Sequence, residues 1–304
     1  MLEKLIFSHI STESKKIIYG PKAGVDAAII KSGDNYFVCA VDPCISVPEE
    51  FFGYLAFHFC ASDVAVVGGV PEYAMVDLLL PHEFSEKKIE DIMASFINEC
   101  EKYNVFLVGG HTGFYRGITQ PVASVSVFGR LNKYGRITTS DRAKPGDFVI
   151  QVKPAAKETV AMIQYNSWDK ESLTGYFGDL SCLEEALTAH KIPVNAMHDA
   201  TEGGIITALE EISANSRVRI ELDRIYIDKV DEQILREKDI DVFSASSTGV
   251  LFITVASEYV DDILSSLKNA CVVGKVKEGR GVYYNGKRVI QGRDPYEKIA
   301  SGVI

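Results

Sequence analysis

Several familiar chemistries are missing from this chain of 304 residues. No Gly-Lys-Ser or Gly-Lys-Thr occurs, which excludes a phosphate loop of the P-loop type. No apolar run reaches the roughly 18 residues of a membrane-spanning helix, so no span is expected. The six cysteines, Cys39, Cys44, Cys60, Cys100, Cys182 and Cys271, contain no Cys-x-x-Cys pair. Most sit in apolar runs and read as small buried hydrophobes of a cytoplasmic protein in a reducing compartment. Met1 to Ile10 carries Glu3, Lys4 and His9, unlike a secretory signal. A basic face is also lacking. The net charge of −10 argues against nucleic acid as the main partner, although it leaves room for an anionic small ligand carried by magnesium. No short-period repeat or low-complexity segment is present. What remains is a globular composition, 46% hydrophobic and 24% charged, long enough for two domains or one large one.

Along the chain, residues 2–18 read as a helix broken at Tyr19-Gly20-Pro21. Residues 26–30 and 36–41 are β-rich, joined by the turn Ser32-Gly33-Asp34-Asn35. An apolar helix follows Pro48, with Phe51, Phe52, Leu55, Phe59 and Val66 at helical spacing, and it stops at Gly68-Gly69. Residues 73–80 form a strand, and 86–103 an amphipathic helix with Ser85 as N-cap. Residues 105–108 form a short strand ending at Gly109-Gly110, and 121–131 a strand. The polar stretch Lys144-Pro145-Gly146-Asp147 marks a boundary between residues 1–143 and 144–304. Beyond it, strands are expected at 148–152, 218–222, 250–255 and 272–276. Helices are expected at 157–165, 180–190, 205–214 and 259–269, with a loop at 166–178. Strands and helices mix without strict alternation, so the fold class is α+β.

Four segments of the first half could carry chemistry: Gly24 to Ile30 with Asp26, Val41-Asp42-Pro43, Ser62-Asp63, and Gly109-Gly110-His111-Thr112. Asp63 is the sharpest. An ionised carboxylate on so apolar a helix costs several kcal/mol unless something positive faces it. No arginine occurs in the first hundred residues, which favours a metal ion as that partner. Magnesium takes hard oxygens such as carboxylates and phosphate, and glycines let backbone amides approach phosphate. Each segment also has a plainer explanation as a turn, a tight loop or a cap. In the second half, His198-Asp199-Ala200-Thr201-Glu202-Gly203-Gly204 reads as a helix start with Thr201 as N-cap. Two glycines there fit best if a ligand or another backbone comes close. The polar loop Ser246-Ser247-Thr248-Gly249 is as much an ordinary turn as a site.

The ordered series from Gly24 to Gly249, including Lys144 to Asp147, resembles the aminoimidazole ribonucleotide synthetase superfamily over nearly the whole chain. The His198 to Gly204 segment looks most like its HypE branch. That resemblance implies two α+β domains and a homodimer whose N-terminal sheets pair into a barrel-like core, with ATP bound beside it. Asp26, Asp42 and Asp63 match positions that hold magnesium on the ATP phosphates. Gly24, Gly109, Gly110, His111, Thr112, Gly203 and Gly204 are then nucleotide contacts, and Asp199, Thr201 and Glu202 face the acceptor. The sequence departs from the pattern where His111 stands in place of the usual aspartate and Ser62 in place of asparagine. It has no cysteine after Cys271, so cyanide-ligand chemistry on its own tail is not expected. The implied activity is magnesium- and ATP-dependent phosphorylation or dehydration of a small amide- or carbonyl-containing acceptor. A non-catalytic nucleotide-binding dimer serving in maturation or as a scaffold, and a kinase like thiamine-monophosphate kinase, stay open beside it. The acceptor and the general base are not legible.

Overall fold

A computed structural model describes residues 5–6, 9–10 and 14–300. The chain divides into two compact units, Met1–Gly135 and Arg136–Ile304. Most of the helix expected over residues 2–18 lies outside the described residues, and its end is a strand instead.

The first unit contains β1 (Ile17–Tyr19), β2 (Ala28–Ser32), β3 (Asn35–Cys44), α1 (Glu49–Val66), β4 (Gly69–Pro81), α2 (Glu86–Lys102), β5 (Phe106–Tyr115) and β6 (Val122–Leu131). Its six-stranded sheet runs β1-β2-β3-β6-β4-β5. Only β4 and β5 are parallel. Helices cover one face. Val38, Ala40 and Cys44 of β3, Val125 and Val127 of β6, and Ala74, Val76, Leu78 and Leu80 of β4 are buried there, on the period of two that a half-covered sheet demands. Helix α1 is apolar nearly all round because the sheet lies on one side of it and α2 on the other. Helix α2 needs a single apolar stripe, which Ile92, Phe96 and Cys100 supply. The Ser85 side chain caps it by accepting from the Lys88 backbone N–H, as its sequence predicts. His58 of α1 and Glu99 of α2 are joined by a 2.9 Å hydrogen bond.

The second unit opens with a 3-10 turn (Ser140–Arg142). It continues with β7 (Phe148–Val152), α3 (Lys157–Gln164), α4 (Lys170–Gly178), α5 (Leu183–Ala189), β8 (Val194–Ala200), α6 (Gly204–Ser216), β9 (Val218–Leu222) and α7 (Lys229–Glu237). Then come β10 (Val250–Val255), α8 (Val260–Ser266), β11 (Ala270–Glu278), β12 (Gly281–Tyr284), β13 (Lys287–Arg288) and α9 (Tyr296–Ala300). The seven-stranded sheet runs β13-β12-β9-β11-β7-β10-β8. Ile205, Ile206, Leu209 and Ile212 of α6 pack into its main core with Ile220, Phe252 and Val276. The fold is α+β, as the mixed pattern indicates.

One expectation needs correction here. Residues 170–178 are a helix rather than a loop, capped by Asp169, whose carboxylate accepts from the Ser172 N–H at 2.9 Å. Trp168 and Tyr176 pack against each other with ring centroids 4.6 Å apart and help cover the small cluster of Ala156, Val160, Leu235 and Ala245.

Candidate active site

Asp42 and Asp63 come from different elements of the first unit. Asp42 is near the end of β3, opposite the buried Val125, on the sheet face that the helices cover. Asp63 is on α1, which packs on that face and on β3. Both side chains are half-buried, and both act on the same group. Burial drives the thiol of Cys60 well above its usual range, and the carboxylates of Asp63 and then Asp42 drive it further, while backbone groups of Val127 and Asp42 pull it back. Two carboxylates bearing on one buried thiol form a concentration of negative charge that a hard divalent cation would relieve. Asp26 lies just ahead of β2, whose Ala28 pairs with Cys39 of β3, and Gly24 is in the turn before it with φ +70°.

The Gly109-Gly110-His111-Thr112 segment is not a loop that follows a strand. It lies within β5, which continues to Tyr115. A Cβ at Gly110 would come within 2.0 Å of the Val76 carbonyl oxygen, so glycine is required for this pairing. The register places His111 opposite Asp77 and Thr112 opposite the buried Leu78. Successive strand residues face opposite ways, so Thr112 shares the covered face with Asp42, whereas His111 lies on the open face and bonds to Tyr115 Oη at 3.2 Å. The open face is strongly apolar: Val41 is 66% exposed, Phe106 59% and Met75 44%.

In the second unit, His198, Asp199 and Ala200 are the end of β8 rather than a helix start. His198 Nε2 bonds Glu211 Oε2 of α6 at 2.8 Å. The chain then turns through Thr201 and Glu202. The N-cap position of α6 belongs to Gly203, not Thr201, and no side-chain cap bond is made. The glycine pair answers to local packing. Gly203 has φ +78° and Gly204 φ +69°, and a Cβ on Gly204 would lie 2.6 Å from the carbonyl oxygens of Ala245 and Phe243.

The loop 246–249 is a hub. Ser247 N–H donates to the Thr201 carbonyl at 3.3 Å, and Ala156 N–H donates to Ser247 Oγ at 2.9 Å. Ser246 Oγ and Gly203 N–H both donate to Asp294 Oδ2, at 2.7 and 2.6 Å. Thr248 Oγ1 and N–H both donate to Glu158 Oε2, at 2.6 and 3.3 Å. Glu158, at the first turn of α3, is 7% exposed. Burial pushes its carboxyl up to about 7, with the Thr248 bonds opposing and the charges of Asp294 and Glu202 adding to the rise. A cavity of about 390 Å³ borders Glu202, Gly203, Gln291, Arg293, Asp294 and Tyr296. Glu158 and Asp294 escape sequence inspection. Glu158 does carry a signal of the same kind as Asp63, a carboxylate ahead of the apolar run Val160-Ala161-Met162. Asp294 has none, since its partners are distant in sequence.

Comparison with known proteins agrees with this architecture. Residues 24–131 match AIR synthase related protein, N-terminal domain, and residues 144–286 match AIR synthase related protein, C-terminal domain. A putative hydrogenase expression/formation protein of Methanocaldococcus jannaschii is 24% identical over 95% of this chain and 92% of its own length. The carbamoyl dehydratase HypE of Rhizobium leguminosarum bv. viciae is 26% identical over 81% of this chain and 73% of its own. The solved structure of AaThiL complexed with AMPPCP and TMP superposes with a TM-score of 0.75 at 20% identity, covering 92% of this chain and 91% of that one. With both domain matches in order along a shared fold, the chain belongs to the AIR synthase related protein family.

Proposed function

We propose that the protein is a magnesium-dependent, ATP-utilising enzyme that transfers a phosphoryl group to an amide- or carbonyl-type oxygen of a small acceptor. The observation that carries the proposal is the convergence of Asp42 and Asp63, from β3 and α1, on the buried Cys60 thiol. Hard carboxylate oxygens beside the covered face suit Mg²⁺ and not a soft metal. Asp42, Asp63 and Asp26 would hold the ion, and the ion would neutralise phosphate charge. Gly24, Gly109, Gly110, His111 and Thr112 would contact phosphate. Family relatives support the nucleotide: AaThiL is solved with AMPPCP, an ATP analogue. Gly203 and Gly204 would also contact the nucleotide, Asp199, Thr201 and Glu202 would face the acceptor, and the dehydratase activity in the name of the R. leguminosarum relative favours an amide-type oxygen. Positioning and charge neutralisation would supply most of the rate.

The apolar open face of the first unit favours a homodimer. Val41, Met75 and Phe106 are too exposed to be settled in water as one patch, and among the described residues no strand pairs beyond β5 at the sheet's edge. The deciding experiment incubates the protein with MgATP and a panel of small amides and carboxamides and measures ADP release. ADP formation that depends on both magnesium and one acceptor class supports the proposal. Nucleotide binding without ADP release under any acceptor would refute it and favour a binding protein without turnover.

A further inference from the structure

Two opposite charges of the second unit are left unspent where its backbone is firmly pinned. Gly203 N–H and Ser246 Oγ donate to Asp294 Oδ2, and Tyr296 N–H donates to Oδ1 at 2.9 Å. Gly292 N–H donates to Ser244 Oγ at 2.9 Å. Gln291 Nε2 donates to Thr207 Oγ1 at 2.8 Å, and a Cβ on Gly203 would lie 2.9 Å from that nitrogen, so glycine admits the segment. These bonds fix the backbone on both sides of Arg293 and lay it beside the Thr201–Gly204 turn. The two segments joined by the Gly203–Asp294 bond each carry a charged neighbour, Glu202 on one and Arg293 on the other. Both border the same cavity of about 390 Å³, which lies wholly within the second unit. Both are exposed, and among the described residues neither side chain has a hydrogen-bond or ion-pair partner. Arg293 also borders a cavity of about 260 Å³ and pairs with neither Asp239 nor Asp241 there. Exposed side chains of opposite sign on adjoining walls ordinarily close into a surface ion pair. Here the space between them is left open.

We propose that this cavity takes a small amino-acid-like zwitterion as the acceptor, with Glu202 receiving its ammonium group and Arg293 its carboxylate. The assignment deepens the reading of the Thr201–Gly204 turn as the acceptor side and rests on it. A guanidinium presents a planar fork that meets a carboxylate through two parallel N–H···O bonds. The Glu202 carboxylate accepts from an ammonium group in the same charge-assisted way. With Asp294 counted, the wall carries two acids and one base, so a plain anion is repelled on balance and the ammonium group is needed. The volume lies within the roughly 300–1,000 Å³ of small-molecule sites.

The test uses the full chain and a matched set of carboxamides at neutral pH. L-Glutamine carries both charged groups, glutaramate lacks the ammonium group, γ-aminobutyramide lacks the carboxylate, and butyramide lacks both. Calorimetry without nucleotide reads binding, and ADP release with MgATP reads turnover. L-Glutamine is expected to bind about tenfold tighter than either singly charged amide and about 100-fold tighter than butyramide. Glu202→Gln should weaken L-glutamine and γ-aminobutyramide about tenfold and leave glutaramate unchanged. Arg293→Gln should weaken L-glutamine and glutaramate and spare γ-aminobutyramide, with Arg293→Lys recovering part of the loss. The spared ligand shows in each case that the variant is folded. Equal binding of the whole set by the parent, binding of none of it, or a variant that weakens every ligand alike overturns the zwitterion assignment. ADP release with butyramide as fast as with L-glutamine overturns it too, and leaves the phosphoryl-transfer proposal standing. Binding that follows the charged groups as expected, with no ADP released, overturns phosphoryl transfer and keeps the ligand class.

Discussion

The burial of Glu158 has a thermodynamic consequence that needs no substrate. Its carboxyl stands at about 7 in the folded chain against an ordinary 4.5. The native state therefore binds its proton more tightly than the unfolded chain does. Between about pH 4.5 and 7 the native state carries more protons, so this residue makes stability fall as pH rises, and the loss is complete above the folded value. At about 1.4 kcal/mol per pH unit the full cost is on the order of 3 kcal/mol. Glu158→Gln removes the ionisation and keeps a neutral acceptor for Thr248, so it stands close to the parent with its carboxyl protonated. The variant should exceed the parent by about 1 kcal/mol at pH 5 and by about 3 kcal/mol at pH 8. Urea unfolding followed by fluorescence measures this directly. The chain's single tryptophan, Trp168, lies in the second unit against Tyr176, and so reports the unit that holds Glu158. Taking the difference between variant and parent at each pH cancels every other titrating group. A difference that stays flat from pH 5 to 8 would show that the carboxyl is not held protonated, and the case built on its burial would fail.

Three further outcomes are expected. Asp63→Asn should weaken binding of magnesium-loaded AMPPCP by about tenfold or more, read by calorimetry, because an amide oxygen replaces an anionic ligand of a hard cation; unchanged affinity would remove Asp63 from the ion's shell. A charge on the open sheet face, as in Met75→Glu, should shift the protein from dimer to monomer in sedimentation equilibrium while leaving its circular dichroism intact, and a variant that stays dimeric would place the interface elsewhere. In the first unit, the His58 bond holds the Glu99 carboxyl below its usual range, against its partial burial. That contribution is present above about pH 4.5 and is lost as pH falls further, so Glu99→Gln should flatten the acid limb of the unfolding profile; an identical limb in both proteins would refute the coupling.

Several elements could be read from local chemistry. The apolar helix after Pro48, the Ser85 cap and the hairpin turn at Ser32 to Asn35 each depend on neighbours a few residues away, and each is present. Elsewhere nearby signals misled. Gly175 and Gly178 disguised α4, although Asp169 supplied a proper cap. The pair Gly109-Gly110 looked like a strand end, yet β5 runs through it because β4 presses so close that no Cβ fits at Gly110. The glycines at 203 and 204 were correctly suspected of admitting a close neighbour. That neighbour is in part the chain's own backbone at Phe243 and Ala245, and Thr201 gives up the cap position to Gly203.

By itself the sequence determined that oxygen-rich, acidic positions punctuate apolar elements, and that basic-face and P-loop chemistries are absent. Those are properties of composition and short spacing. Tertiary structure alone decided which acids meet. Asp42 and Asp63 act on one thiol because α1 folds back onto β3. Glu158 acquires its unusual proton affinity only when folding buries it, against the opposing bonds from Thr248, 90 residues further on. Asp294 reaches Gly203 across a separation of 91 residues. Proton affinity depends on solvent exclusion and on charges a few ångströms away, and the chain acquires both only by folding.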